Sequence, residues 1–379
     1  MTDPIKSAST VEYPQRLARI YAEMDLIGAD LMLIDQAELM AWVGGFTSSQ
    51  TLYRVLLVPR HDAPWYVIRE LDCGPCRERG WVDAIESYPD HVDGWQFAID
   101  SIITHGFAGA NIGIDPHSYG CTLESFLRLQ QGLPKAQWRH FSHSGDQLRQ
   151  VKLPSEIDCL KKAAQIADQS MQRIAGGIQA GDSAREASAL AAGEFIRLGA
   201  DSGDTGPIVR SAGDHQFLHS HQLDEPLQHG DILHVELIPK VHDYSARLMR
   251  PIVIGAPTPE LSQLAQQLIT LQDQQIAAMR AGAQALEIDA IVRQGVLNAG
   301  LRADYPNVTG YSLGQYARTP RLSDFSRCFH PKADWQLEEN MVFHMYVSAG
   351  RLGFSETVRV GKTGGERLTQ LQRALLVAG

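Results

Sequence analysis

Residues 230–255, GDILHVELIPKVHDYSARLMRPIVIG, hold two apolar runs separated by a short polar stretch. That pattern specifies two strands joined by a tight turn. Each run also carries full charge, with Glu236 inside ILHVELI and Arg247 and Arg250 inside SARLMRPIVI. A carboxylate in the middle of a buried strand needs a partner, or its proton affinity rises. Arg247 and Arg250 are the two cations in reach, and an ion pair with either is one reading of Glu236.

The 379 residues are more than one core usually serves, so two domains are expected, 1–150 and 151–379. The polar join HFSHSGDQLRQVKLPSE lies between them. The first half reads as α/β. YPQRLARIYAEMDLIG is an amphipathic helix with Leu17, Ile20, Tyr21 and Met24 on one side, and ADLMLI, RVLLVPR, PWYVIRE and ANIGIDP are strands. The second half reads as α+β. Helices are expected at about 155–178, 183–198, 258–281 and 286–299, the first with Ile157, Leu160, Ala164, Ala167, Met171 and Ile174 on one face. Strands are expected at about 206–212, 231–239, 244–254, 308–312, 341–347 and 355–361. Strands paired around a turn, with helices gathered separately, suggest one antiparallel sheet covered on one face.

Composition excludes several function classes. The net charge is -10 and no Lys/Arg run stands out, which argues against nucleic-acid binding. No uncharged apolar run of about 18 residues is present, so no membrane span is expected. MTDPIKSASTVEYPQRL lacks the apolar centre of a signal peptide, and five unevenly spaced cysteines fit free thiols in a reducing cytoplasm.

Five stretches then stand in a telling order: LRQVKLPSEIDCLKKAAQIAD, GPIVRSAGDHQFLHSHQLDEPLQHGDILHVE, TGYSLG, ENMVFHMYVSAG and FSETVRVGKTGGERLT. The set resembles the creatinase/prolidase/methionine aminopeptidase family (M24, pita-bread fold) over nearly the whole chain. The resemblance implies an α/β N-terminal creatinase-type domain plus an α+β C-terminal pita-bread domain. It also implies a homodimer with shared active sites, in which GGFTSSQTLYRVLLV reaches the neighbouring subunit's site. Tyr53 and Arg54 are the large polar residues of that segment; an exposed strand start is the plainer reading of both. Cys73-Gly74-Pro75-Cys76 spells a dithiol redox motif after a strand, but no thioredoxin-like βαβ order surrounds it, and the family places an ordinary strand-to-helix turn there.

Metal-dependent members of the family hold two divalent cations with two Asp, one His and two Glu, and activate a bridging water. The resemblance sets Glu236, Arg247, Tyr311, Tyr346 and Ser355 at those positions, or Glu356 for the last if the register slips by one. A guanidinium cannot coordinate a metal and repels it. No metal and no other cofactor are therefore expected. The Glu in HVEL, the spacing of Tyr244 and Arg250, GYSLG and SETVRV resemble the metal-independent creatinase and ectoine hydrolase-like branch. His219 lies seventeen residues before Glu236, where the family carries a histidine, with Leu227, Gly230 and Asp231 at matching offsets.

This implies His219 as general acid/base, the side chain type best suited to that task near neutral pH. Glu236 is implied as base or nucleophile, and Glu356 as a group that orients a leaving nitrogen or a water. Arg247, Arg250, Tyr311, Arg318 and Tyr346 are implied as substrate-binding, Arg318 standing where a second family histidine contacts substrate. Plainer readings are a surface histidine for His219 and core packing for the tyrosines. Met249 replaces a Glu found in creatinase, and QYARTPRLSDFSR lacks the Asp-Trp-Gly of ectoine hydrolases, so the sequence names neither substrate. The expected function is metal-independent hydrolysis of a C–N bond in a small zwitterionic or cyclic amidine molecule. The alternatives are an Xaa-Pro dipeptidase-like metallopeptidase with degenerate ligands, and a catalytically inactive binding protein.

Overall fold

The computed structural model of the protein describes residues 4–48, 51–141, 144–213, 216–220, 224–316 and 326–379. The chain divides into two compact units, Met1–Arg149 with Gln315–Arg321, and Gln150–Gly314 with Leu322–Gly379.

The first unit runs α1 (Pro4–Ile27), β1 (Leu31–Ile34), α2 (Ala37–Gly44), β2 (Val55–Pro59), β3 (Trp65–Arg69), α3 (Cys73–Arg79), β4 (Ala84–Tyr88), α4 (Gly94–Thr104), β5 (Asn111–Ile114), α5 (Leu123–Gly132), β6 (Gln137–His140) and α6 (Ser144–Leu148). Among the described residues its strands form one sheet in the order β4-β3-β2-β1-β5-β6. The β1/β2 and β2/β3 pairs are antiparallel and the others parallel. The four strands expected from sequence are central and buried on both faces. Met32, Ile34, Leu56 and Tyr66 enter one core, and Leu31, Leu33, Val55 and Trp65 the other, which is why they read as continuous apolar runs. The sequence missed β4 (AIESY) and β6 (QWRH), edge strands whose mostly part-exposed or exposed residues give no such run. Cys73 and Cys76 open α3 as free, buried thiols, and burial pushes the Cys76 thiol up to about 12.

The second unit runs α7 (Pro154–Ala175), α8 (Ala184–Leu198), β7 (Ile208–Arg210), β8 (Ile232–Leu237), β9 (Lys240–Val241), β10 (Tyr244–Ser245), β11 (Leu248–Ile254), α9 (Pro259–Ala278), α10 (Ala285–Asn298), β12 (Gly310–Ser312), β13 (Cys328–Phe329), β14 (Val342–Ala349), β15 (Leu352–Val360), β16 (Gly365–Arg367) and β17 (Leu376–Ala378). The helices start where their caps dictate. Ser183 and Glu186 form a reciprocal capping box on α8, and the Thr258 hydroxyl accepts from Leu261 N–H ahead of Pro259 on α9.

The strands do not make the single antiparallel sheet expected from sequence. Among the described residues they form one of order β17-β11-β8-β7, another of order β13-β12-β14-β15-β16, and the small β9/β10 hairpin. The β11/β17 pair is parallel.

The strand expected over about 244–254 is also broken. His242 and Asp243 both adopt left-handed backbone (φ 50° and 65°), as a two-residue hairpin turn requires. The Asp201 carboxylate accepts their N–H groups at 3.0 and 2.6 Å. Past that hairpin, Ala246 N–H turns back to the Pro239 carbonyl at 3.2 Å. Arg247 N–H leaves the ladder for the Thr357 hydroxyl of β15 at 2.8 Å, and that hydroxyl donates to the Arg247 carbonyl at 2.8 Å. One threonine on the second sheet thus fixes the backbone of the residue between β10 and β11.

Candidate active site

Strand pairing brings the charged residues of the hairpin together. Met249 lies opposite Glu236 in the β8/β11 register, and Arg247, two residues from Met249, projects to the same face. Its Nη1 donates to Glu236 Oε1 at 2.8 Å and to the Tyr311 hydroxyl at 2.7 Å, with the guanidinium 5.4 Å from the Tyr311 ring centre. The second sheet adds the rest of this face. Tyr311 of β12 is opposite His344 of β14, and Tyr346 is opposite Ser355 of β15. Tyr311 meets His344 edge-to-face at 5.0 Å and Tyr346 at 6.1 Å, and His344 stacks on Tyr346 at 5.4 Å. Glu236, Arg247, Tyr311 and Tyr346 each keep 7–9% of their surface accessible, so the face is nearly dry and still reachable. Burial raises the phenol pKa of Tyr311, against the opposing pull of Arg247, and that of Tyr346. Both hydroxyls remain protonated donors.

Ser355 and Glu356, the two candidates at the end of the motif, lie on opposite faces of β15. Ser355 shares a face with Tyr346, whereas Glu356 points away from Glu236. Glu356 is fully buried and bonds Arg250 Nη2 at 2.6 Å and the Thr369 hydroxyl, with Arg373 Nε at 3.3 Å and Arg367 Nη1 at 3.6 Å. Arg250, also fully buried, donates in addition to the carbonyls of Met249, Ser355 and Leu371. The expected catalytic part for Glu356 and substrate-binding part for Arg250 therefore do not match their placement. Each already has its hydrogen-bonding capacity engaged inside the protein, on the face turned from the site.

His219 ends a short 3₁₀ turn, Gln216–His219, and its side chain is exposed. The turn docks through Phe217, which packs edge-to-face on His234 at 5.0 Å. His234 precedes Glu236 by two residues on β8, so the turn rests on the Glu236 face. Arg318 lies outside the described residues. Tyr53 and Arg54 are buried inside the first unit, so neither is an exposed strand start, the plainer reading of both. Tyr53 stacks on Trp95 with ring centres 3.2 Å apart, and Arg54 donates to the carbonyls of Ser48 (3.2 Å) and Asp35 (3.1 Å).

Sequence reasoning missed His234 and His344, which lie on this face. The signal was present in both cases, a histidine two residues before Glu236 and another two before Tyr346.

The five positions do not fit a dinuclear metal centre. Glu236 has one oxygen engaged by a guanidinium, and the others are Arg247, Tyr311, Tyr346 and Ser355. Among the described residues no group of three or more His, Cys, Asp or Glu is arranged to hold a metal ion. Likewise, no helix of the described residues is long and apolar enough to cross a membrane.

Comparison with known proteins agrees with this two-unit architecture. An ectoine hydrolase from Halomonas elongata is 23% identical over 97% of both chains. An Xaa-Pro dipeptidase from Pyrococcus furiosus is 25% identical over 66% of this chain and 73% of its own. Among solved structures, an Xaa-Pro dipeptidase from Bacillus anthracis superposes with a TM-score of 0.82 at 19% identity, covering 96% of this chain and 99% of that one. Residues 16–151 match the creatinase/prolidase N-terminal domain and residues 158–365, more than half of the chain, match metallopeptidase family M24. An N-terminal creatinase-type domain followed by a pita-bread domain is thus the fold, and the chain belongs to the M24 family.

Proposed function

We propose that the protein hydrolyses a carbon–nitrogen bond in a small zwitterionic or cyclic amidine molecule without a metal ion. The observation that carries this reading is the bonded chain Glu236–Arg247–Tyr311, which fills three of the family's metal-ligand positions with an ion pair and a phenol. Glu236, paired with the Arg247 guanidinium at 2.8 Å, acts as base toward water or as nucleophile at the amidine-like carbon. His219, at the open end of its turn, supplies or removes the proton at the leaving nitrogen. Arg247 offers the fork that suits a substrate carboxylate, with Tyr311, Tyr346 and Ser355 as neutral donors around it. Similarity to the Halomonas ectoine hydrolase along the full length supports a substrate of this kind. A homodimer with shared active sites belongs to the same reading.

The second reading, an Xaa-Pro dipeptidase, is favoured by the Pyrococcus relative and the Bacillus structure. Purified protein is assayed against ectoine, creatine and Gly-Pro with and without chelator, alongside elemental analysis. Turnover of an amidine or guanidino compound that survives chelation is the expected result. About two metal ions per chain, with Gly-Pro cleavage lost to chelator, would overturn the proposal in favour of the second reading.

A further inference from the structure

His234 and His344 stand on the two sheets that build the site, and the mechanism above uses neither. His234 is fully buried and His344 is 2% exposed. Among the described residues, neither nitrogen of either ring has a hydrogen-bond partner, and the same holds for the buried Ser355 hydroxyl. All three face the site. His234 shares the face of Glu236, His344 packs on Tyr311 and Tyr346, and Ser355 is the cross-strand partner of Tyr346.

The rings are held by packing alone. Phe217 seals the edge of His234, and Gly353 leaves the room it needs, since a Cβ there would come within 3.3 Å of His234 Cε1 and 3.2 Å of Met249 Cε. Buried polar groups in folded proteins are bonded as a rule, and leaving one unmade is costly. Five unmade atoms on one face are therefore a feature to be explained. Burial, with the Arg247 guanidinium near His344, keeps both rings neutral. A neutral imidazole presents one N–H donor and one bare nitrogen acceptor, and a serine hydroxyl can do either. Such a set matches a group that has N–H and C=O or C=N side by side, and it suits a simple ion poorly.

We infer that His234, His344 and Ser355 are specificity-determining groups of the Glu236 site, which hydrogen-bond the amide, ureide or amidine unit of the substrate while Arg247 and Glu236 meet its charged ends. The inference rests on the reading of the site given above. It makes the protein reject analogues that keep the shape and lose the N–H or carbonyl, because the buried donors and acceptors then stay unmade.

The test replaces each histidine by phenylalanine and by glutamine in the Glu236→Gln background, which holds a probe unhydrolysed. Melting temperature is recorded, together with calorimetric binding of ectoine, creatine and Gly-Pro. The phenylalanine variants should melt at or above the parent, because an apolar ring replaces an unmade polar one. They should bind the accepted probe roughly 10- to 100-fold more weakly. His344→Gln, which keeps a donor and an acceptor, should recover part of that loss. Phenylalanine variants that melt lower show imidazoles held by structural water, and unchanged binding shows imidazoles that never meet the ligand; either result overturns the inference. Preference for Gly-Pro over ectoine and creatine would instead defeat the proposed function, while the comparison of parent and phenylalanine variants with Gly-Pro still decides the role of the histidines.

Discussion

Replacing Glu356 by glutamine and Glu236 by glutamine separates a carboxylate that holds the fold from one that serves the site. Glu356 is fully buried against Arg250, with Arg373, Arg367 and Thr369 around it. Removing its charge leaves Arg250, itself fully buried, without its carboxylate. Breaking a buried pair in this way costs about 3–5 kcal/mol. A unit of this size loses about 2–4 °C per kcal/mol, so the drop should be roughly 6–20 °C. Glu236 differs in two respects. It keeps 7% of its surface accessible, and its partner Arg247 retains the Tyr311 hydroxyl at 2.7 Å and can still donate to an amide oxygen. Glu236→Gln should therefore cost no more than about 1 kcal/mol, the value of an ordinary hydrogen bond, and abolish turnover. Differential scanning calorimetry with activity on the same samples reads both. A Glu236→Gln protein that melts as low as Glu356→Gln would refute the reasoning, because Glu236 would then be the structural carboxylate.

Further outcomes follow from the same geometry. His234 has its pKa pushed down to about 3 by burial, and His344 is lowered by burial, by Arg247 and by His234. The groups facing this pair are Glu236, Arg247, Tyr311 and Tyr346. A histidine whose folded pKa lies below its unfolded value binds its proton first in the unfolded chain, so stability is full above about pH 6.5 and falls as pH drops below it, for His234 down to about 3. Acid denaturation curves of His234→Phe and His344→Phe should each be shallower in that window. His219→Ala should lose at least roughly 10²-fold in turnover with little change in melting temperature, given its exposed side chain; near wild-type rates would remove it from the mechanism. Cys76, buried with its thiol pushed up to about 12, should react slowly with thiol reagents in the folded protein, and Cys73→Ser with Cys76→Ser should leave activity intact. Gly206→Ala should impair turnover, since a Cβ there would fall 2.7 Å from the Glu236 carbonyl oxygen and 3.0 Å from its Cγ.

The sequence by itself determined the four helices of the second unit, whose caps and apolar spacing are local, and the central strands of the first, which are apolar because both faces are covered. It also determined that Glu236 needed a polar partner, since a carboxylate within ILHVELI is carried into an apolar core and Arg247 and Arg250 are the cations nearest in the sequence. It did not determine which cation. Arg247, just before β11, and Arg250 within it differ by three positions and so point to opposite sides of the chain, and which side is the site depends on what packs there. The second sheet decides it, where Thr357 anchors the backbone of Arg247 and Glu356 takes Arg250. The same packing assigns Ser355 to the site and Glu356 to the fold, a choice that turns on one step of register. His234 and His344 were legible as neighbours two residues from Glu236 and Tyr346. That their nitrogens find no partner among the described residues was not, because hydrogen bonding between distant strands is fixed only when two sheets meet, and no local pattern records which polar atoms that meeting leaves unmade.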